Sequence, residues 1–133
     1  MNPLAGFLTR RTLLADRFLY ATPASLGLEA AEVTFWNVAG IELHGWIIAG
    51  RKPGTVVFCP GNSGNASSHL HYARLVWRAG YSVLSFDYQG CGRSAGKPDL
   101  RSLVSDVDAA CQFAAFHAPG PIALFGISLG AGA

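Results

Sequence analysis

The 133-residue chain is predicted to fold as an α/β domain, a mostly parallel sheet with an antiparallel hairpin at its edge. Three observations carry this expectation. Half of the residues are hydrophobic and only 14% are charged, a balance that suits strands buried on both faces. Two alternating segments come first, joined by a short turn, as in a hairpin. After them, apolar runs alternate with segments of helical period, the pattern of parallel β-α units.

The elements follow in order. Residues 1–31, broken by Pro23 and Gly27, are expected to form an N-terminal arm, leaving 32–133 as the folded portion. Residues 32–36 and 41–48 read as two strands with residues 37–40 turning between them. In the second strand Ile41, Leu43 and Ile47 share one face and Glu42 and His44 the other, with His44 expected to be exposed. Residues 55–59 are a β-branched apolar run ending at Pro60-Gly61. A helix is expected to begin at Ser67 or Ser68, good N-cap residues, and to end at Gly80. Residues 81–86 form the next strand.

Pro98-Asp99 then opens a second helix. Leu100, Leu103, Val104, Val107, Cys111 and Ala114 recur on it at helical spacing, opposite a face carrying Arg101, Ser105, Asp106 and Asp108. The last strand, 122–125, runs directly into Gly126.

Composition narrows the function. Net charge is +2 and the ten basic residues are scattered, so nucleic acid is not an expected partner. The three cysteines, Cys59, Cys91 and Cys111, lack C-x-x-C spacing, which implies neither a disulfide framework nor a metal site. Reduced thiols favour a cytoplasmic location. Arg10-Arg11 opens no signal peptide, because Asp16 and Arg17 interrupt the apolar stretch such a peptide needs. Residues 109–133 hold no Asp, Glu, Lys or Arg, but Pro119-Gly120-Pro121 splits them into runs below the roughly 20 residues that cross a bilayer. No transmembrane span is expected.

Three glycine-containing loops fall at the carboxyl ends of strands, where function gathers in such sheets. Gly126-Ile127-Ser128-Leu129-Gly130 is a G-x-S-x-G pentapeptide directly after a strand. A serine hydroxyl is a weak nucleophile, so it must be held exposed beside a base. The sharp turn that exposes it tolerates only small flanking residues. A plain small-residue turn is the alternative.

Pro60-Gly61-Asn62-Ser63-Gly64-Asn65 follows the first parallel strand and brings backbone N–H groups within reach of a developing oxyanion. Leu129 would supply one such N–H and Asn62 another. An ordinary β-α turn is the alternative, and no G-K-[ST] supports a P-loop.

The third loop, 86–96, carries Gly90, Gly92 and Gly96. It mimics a dinucleotide fingerprint but follows a later strand, and Pro98 delays the helix that would receive a pyrophosphate. A turn of positive-φ glycines braced by Asp87 accepting backbone N–H bonds is expected instead. His69 and His71, two apart on a helix, point to different faces and do not share a metal. His44, His69, His71 and His117 are all read as structural.

With the three loops in this order, the chain resembles the N-terminal half of an α/β-hydrolase, more narrowly the serine aminopeptidase S33-like and BEM46-like branch. The resemblance runs from about Arg17 onward. It is strongest in Gly61-Asn62-Ser63-Gly64-Asn65, in 86–96 and in Gly126-Ile127-Ser128-Leu129-Gly130, while Tyr20-Ala21-Thr22-Pro23 and Leu26-Gly27-Leu28 resemble the arm leading into the first strand. It implies a three-layer sheet, truncated here after the nucleophile strand. It also implies a serine hydrolase acting on a small-molecule or acyl substrate without a cofactor. Ser128 matches the nucleophile, and the N–H groups of Leu129 and Asn62 match the oxyanion hole. Pro60 stands where the family usually has His.

In this fold the acid and the histidine of the triad follow the serine, whereas only 129–133 follow Ser128 here. The chain is therefore expected to be an incomplete, inactive fragment, with strand 122–125 as an exposed edge open to self-association. Two alternatives stand beside this reading. One is a non-enzymatic module acting through that edge; the other is a nucleotide-binding protein using Gly90, Gly92 and Gly96.

Overall fold

The computed structural model describes residues 16–61 and 64–127. Five strands make one sheet: β1 (Ala31–Trp36), β2 (Glu42–Ile48), β3 (Thr55–Cys59), β4 (Ser82–Phe86) and β5 (Ile122–Gly126), in the order β1-β2-β4-β3-β5. β1 pairs antiparallel with β2, and β2 antiparallel with β4. β3 runs parallel to both of its neighbours, β4 and β5. The expected hairpin edge and parallel centre are both present, and every strand lies within one residue of its expected limits.

Helix α1 (Leu70–Arg78) connects β3 to β4, and helix α2 (Leu103–His117) connects β4 to β5. Because β4 and β5 flank β3 on opposite sides, the two crossovers run in opposite directions, and right-handed crossovers then place the helices on opposite faces. The core accordingly divides in two. Val57, Leu84 and Phe86 meet Leu103, Val107 and Ala110 on the α2 side. Phe58, Val83 and Trp46 meet Leu70 and Ala73 on the α1 side. Neighbouring residues of one strand thus serve different layers, as a period of two requires. Ala110 and Ala114, both fully buried, let α2 lie close to the sheet.

Three local expectations are corrected. The first helix is not capped by Ser67 or Ser68. Asn65 is the N-cap of a 3-10 turn (Ala66–His69) that leads into α1, its side chain accepting from the Ser67 N–H, while the Ser68 hydroxyl accepts from the Asn65 N–H. The serines complete the cap from within, as in a capping box. At the far end Gly80 follows the Ala79 C-cap with φ of 106°, as expected. On α2, Asp99 caps the entering turn through the Arg101 N–H, but Val104 points outward at 65% exposure.

The third correction concerns Asp106, which is fully buried rather than on the polar face. Its carboxylate accepts from Asn37 Nδ2 at 2.8 Å and from the Gln89 N–H at 2.9 Å. Asn37 in turn accepts the N–H groups of Ala39 and Ile41. One side chain therefore ties α2 to the β1–β2 turn and to the loop after β4. Burial holds its carboxyl above the usual range, against the pull of the two hydrogen bonds.

Asp106→Ala deprives the Gln89 N–H of its acceptor and Asn37 Nδ2 of one of its two, and is expected to cost about 2–4 kcal/mol in urea unfolding. The buried thiols set an alkaline limit. Burial pushes Cys59 from 9.0 up to about 12 and Cys91 up to about 11. A pKa raised by folding stabilises fully below the unfolded value and is lost as pH climbs through the folded one. Stability should therefore fall from pH 9.0 towards about 12, and Cys59→Ala should flatten that slope in urea midpoints measured across the range.

Candidate functional site

The helices following the adjacent strands β3 and β4 pack on opposite faces, the arrangement in which ligands bind at the carboxyl ends of the strands. Three segments meet at that end: the loop after β3, the loop after β4, and the exit from β5. Ser128, Leu129 and Asn62 lie outside the described residues. What the structure gives is the framework from which they depart. Gly126 pairs with Cys59, and the Ile127 N–H donates to the Cys59 carbonyl at 3.3 Å. Residues 126–127 and residues 59–61 therefore leave the sheet side by side. Pro60 is fully buried at that departure point, and Ile127 packs on the α1 side of the core.

Asp87, the first residue after β4, joins two of the loops. One carboxylate oxygen accepts the Ala66 N–H at 2.8 Å, across from the loop after β3, and the other accepts the Arg93 N–H at 3.4 Å, within its own loop. Asp87 is 2% exposed, and burial holds its carboxyl above the usual range despite these bonds and the nearby Arg93 and Arg17. A Cβ at Gly92 would lie 2.1 Å from Asp87 Oδ2, and Gly92 has φ of +51°. Glycine is required there both by the backbone and by the carboxylate packed against it.

The glycine loop after β4 spends its amides internally. Gly90 N–H donates to Ala95 O, Cys91 to Tyr88 O, Gly92 to Asp16 O, Ser94 to Cys91 O and Ala95 to Glu42 O, while Arg93 goes to Asp87. A pyrophosphate needs such N–H groups unspent. The positive-φ turn braced by Asp87 is present as expected, with Gly90, Gly92 and Gly96 at φ of 80°, 51° and 83°. The geometry argues against the dinucleotide alternative.

His44 is corrected from exposed to buried, at 7% exposure. The loop after β4 folds back over it: the His44 N–H donates to Ser94 Oγ, and its carbonyl accepts the Asp87 N–H. Arg93 lies over the Trp46 ring and reaches Glu32, closing the cover. His44 Nδ1 is 4.0 Å from Asp87 and Nε2 is 4.0 Å from Glu32, too far for hydrogen bonds. Desolvation holds its pKa below the usual value, with Glu32 pulling upward, so the ring is neutral at neutral pH.

His69 is buried and His71 is exposed, on different faces as expected. His69 Nδ1 lies 2.7 Å from the Asn65 carbonyl, which fixes the proton on that nitrogen because a carbonyl only accepts. His117 ends α2. Among the described residues no group of three or more His, Cys, Asp or Glu is placed to hold a metal ion. None of the described helices is long and apolar enough to cross a membrane.

Two residues in this region were not singled out from the sequence. Asn65 stands in the sequence only as the end of a glycine loop, although Asn is among the preferred N-cap residues. Arg17, whose guanidinium reaches three carbonyls of the loop after β4, carried no sequence signal at all.

Comparison with known proteins agrees with this arrangement. Residues 50–133 match the family described as serine aminopeptidase, S33. An uncharacterized protein YfhR of Salmonella typhi is 35% identical over 118 residues, covering 82% of this chain and 39% of its own length. An uncharacterized protein of Mycobacterium tuberculosis H37Rv, Rv2307c, is 37% identical over 98 residues, covering 69% of this chain and 35% of its own length. Among solved structures, the esterase Pf2001 of Pyrococcus furiosus superposes with a TM-score of 0.76 at 25% identity, covering 83% of this chain and 44% of the esterase. The chain thus spans well under half the length of the curated relatives it matches. On the family match and the superposed fold, the chain belongs to the serine aminopeptidase S33 family of the α/β-hydrolase superfamily.

Proposed function

We propose that these residues belong to a serine hydrolase that cleaves an ester, thioester or amide through an acyl-serine intermediate. The observation that carries this reading is the pairing of Gly126 and Ile127 with Cys59, by which the first two residues of G-x-S-x-G meet the strand end from which the loop after β3 departs. In the proposed reaction Ser128 Oγ attacks the substrate carbonyl carbon and its proton passes to a histidine. The N–H groups of Leu129 and Asn62 hold the oxyanion. The histidine then protonates the leaving alcohol, thiol or amine, and water later releases the acyl group by the same steps in reverse. The histidine and the acid that orients it follow the serine in the order usual for this fold.

A second reading rests on β5, the last strand of the sheet among the described residues, where Leu124 is 56% and Phe125 37% exposed. An edge strand with apolar side chains facing solvent is a site for self-association. Size-exclusion chromatography with hydrogen exchange separates the outcomes: a monomer with protected β5 amides removes this reading, and concentration-dependent assembly that protects β5 supports it.

For the hydrolase, with the triad histidine following the serine in the order usual for this fold, the 133-residue chain alone should react with a fluorophosphonate only slowly. Rapid stoichiometric labelling of Ser128 in that chain would show that the catalytic unit is complete without further sequence. In a chain extended to the length of its relatives, Ser128→Ala should lower hydrolysis of an activated ester by at least about 10⁴-fold. Retention of activity in that variant excludes Ser128 as the nucleophile.

A further inference from the structure

Residues 16–20 cross both loops that flank the candidate site. The Asp16 carbonyl accepts from the Gly92 N–H at 2.9 Å and from Asn65 Nδ2 at 3.0 Å. The Phe18 carbonyl accepts from the same Nδ2 at 2.8 Å, and the Tyr20 N–H donates to Ser67 Oγ at 3.0 Å. Arg17 completes the crossing by donating to the carbonyls of Gly92, Ser94 and Gly96 at 3.3, 2.7 and 3.1 Å.

The polarity of these bonds is sorted. The loop after β4 gives one N–H to the buried Asp87 carboxylate and three carbonyls to the Arg17 guanidinium, so it is clamped between an anion and a cation. Asn65 is divided in the same way. Its Oδ1 caps the helical turn through the Ser67 N–H, while its Nδ2 serves only the strap. A Cβ at Gly64 would stand 3.9 Å from the Tyr20 ring, so the strap also borders the loop after β3 at Gly64.

We propose that residues 16–20 are a positioning strap beside the candidate site, with Arg17 as its positioning residue, fixing residues 64–67 of the loop after β3 relative to the loop after β4. Its bearing on catalysis rests on the hydrolase reading; its mechanical role does not.

The test is hydrogen exchange, read segment by segment, on the full chain and on Arg17→Ala, Arg17→Lys and Asn65→Asp. Arg17→Ala should speed exchange at 61–66 and 90–96 by about tenfold while β2, β3 and β4 stay unchanged. Arg17→Lys should restore part of that protection, because an ammonium still donates to carbonyls. Asn65→Asp keeps an acceptor for the cap but has no Nδ2 donor. It should therefore loosen 16–20 and 61–66 and leave α1 unchanged.

Unchanged exchange in Arg17→Ala, or a rise spread evenly over the sheet, overturns the strap. A second readout uses the extended chain, where Arg17→Ala should lower the maximal rate of Ser128 phosphonylation by about tenfold at unaltered phosphonate affinity, with partial rescue by lysine. An equal loss in Arg17→Ala and Arg17→Lys overturns the positioning role. If the wild-type extended chain never labels at Ser128, the hydrolase reading fails, and the exchange result alone decides the strap.

Discussion

The carboxylate of Asp87 is the interaction on which the site's framework depends. It stands at the end of β4, almost wholly buried, with one oxygen on each of two loops. Taking a carboxylate out of water is costly unless its lone pairs are used, and here backbone N–H groups use them. Burial still wins, leaving the carboxyl easier to protonate than in water. The residue thus spends folding free energy to hold two loops in register. Gly92 follows as a necessity, because the carboxylate already fills the space of its Cβ.

That arrangement decides what the loop after β4 is for. Glycines in a row after a strand allow two uses, an anion cradle or a tight scaffold. The difference lies in where the N–H groups point. From Gly90 to Ala95 they point to protein acceptors, and the carbonyls of Gly92 and Ser94 meet Arg17. The loop is a scaffold. The neighbouring His44 fits the same account, since a neutral ring beside Asp87 adds no ion pair and is covered by Arg93 and Trp46.

The sheet was legible in the sequence because alternation in 32–36 and 41–48 and the β-branched run in 55–59 report directly on backbone period. The loops were legible as glycine positions and as Asp87. What escaped were side chains whose role depends on distant partners. Asp106 sits at a polar step of the α2 pattern, and only Asn37 and Gln89, brought in by the sheet, make its burial tolerable. His44 alternates with Leu43 as a solvent-facing residue should, yet the returning loop covers it. Arg17 lies 75 or more residues from the carbonyls it binds, and no local pattern encodes that separation. Ser128, Leu129 and Asn62 were legible as motif positions only; their arrangement lies outside the described residues.

The two glycine loops divide the work between them. In the loop after β3, the Asn65 N–H goes to Ser68 Oγ, Ala66 to Asp87, Ser67 to Asn65 Oδ1 and Ser68 to the Asn65 carbonyl. Every amide from Asn65 onward is therefore spent on the cap or on Asp87. A donor to an oxyanion must keep its N–H unspent in the resting protein and must already be aimed when charge develops. Any such donor from this loop has to lie before Asn65, in the stretch that contains Asn62. The cap does more than start α1: together with Asp87 it consumes the amides from Asn65 to Ser68.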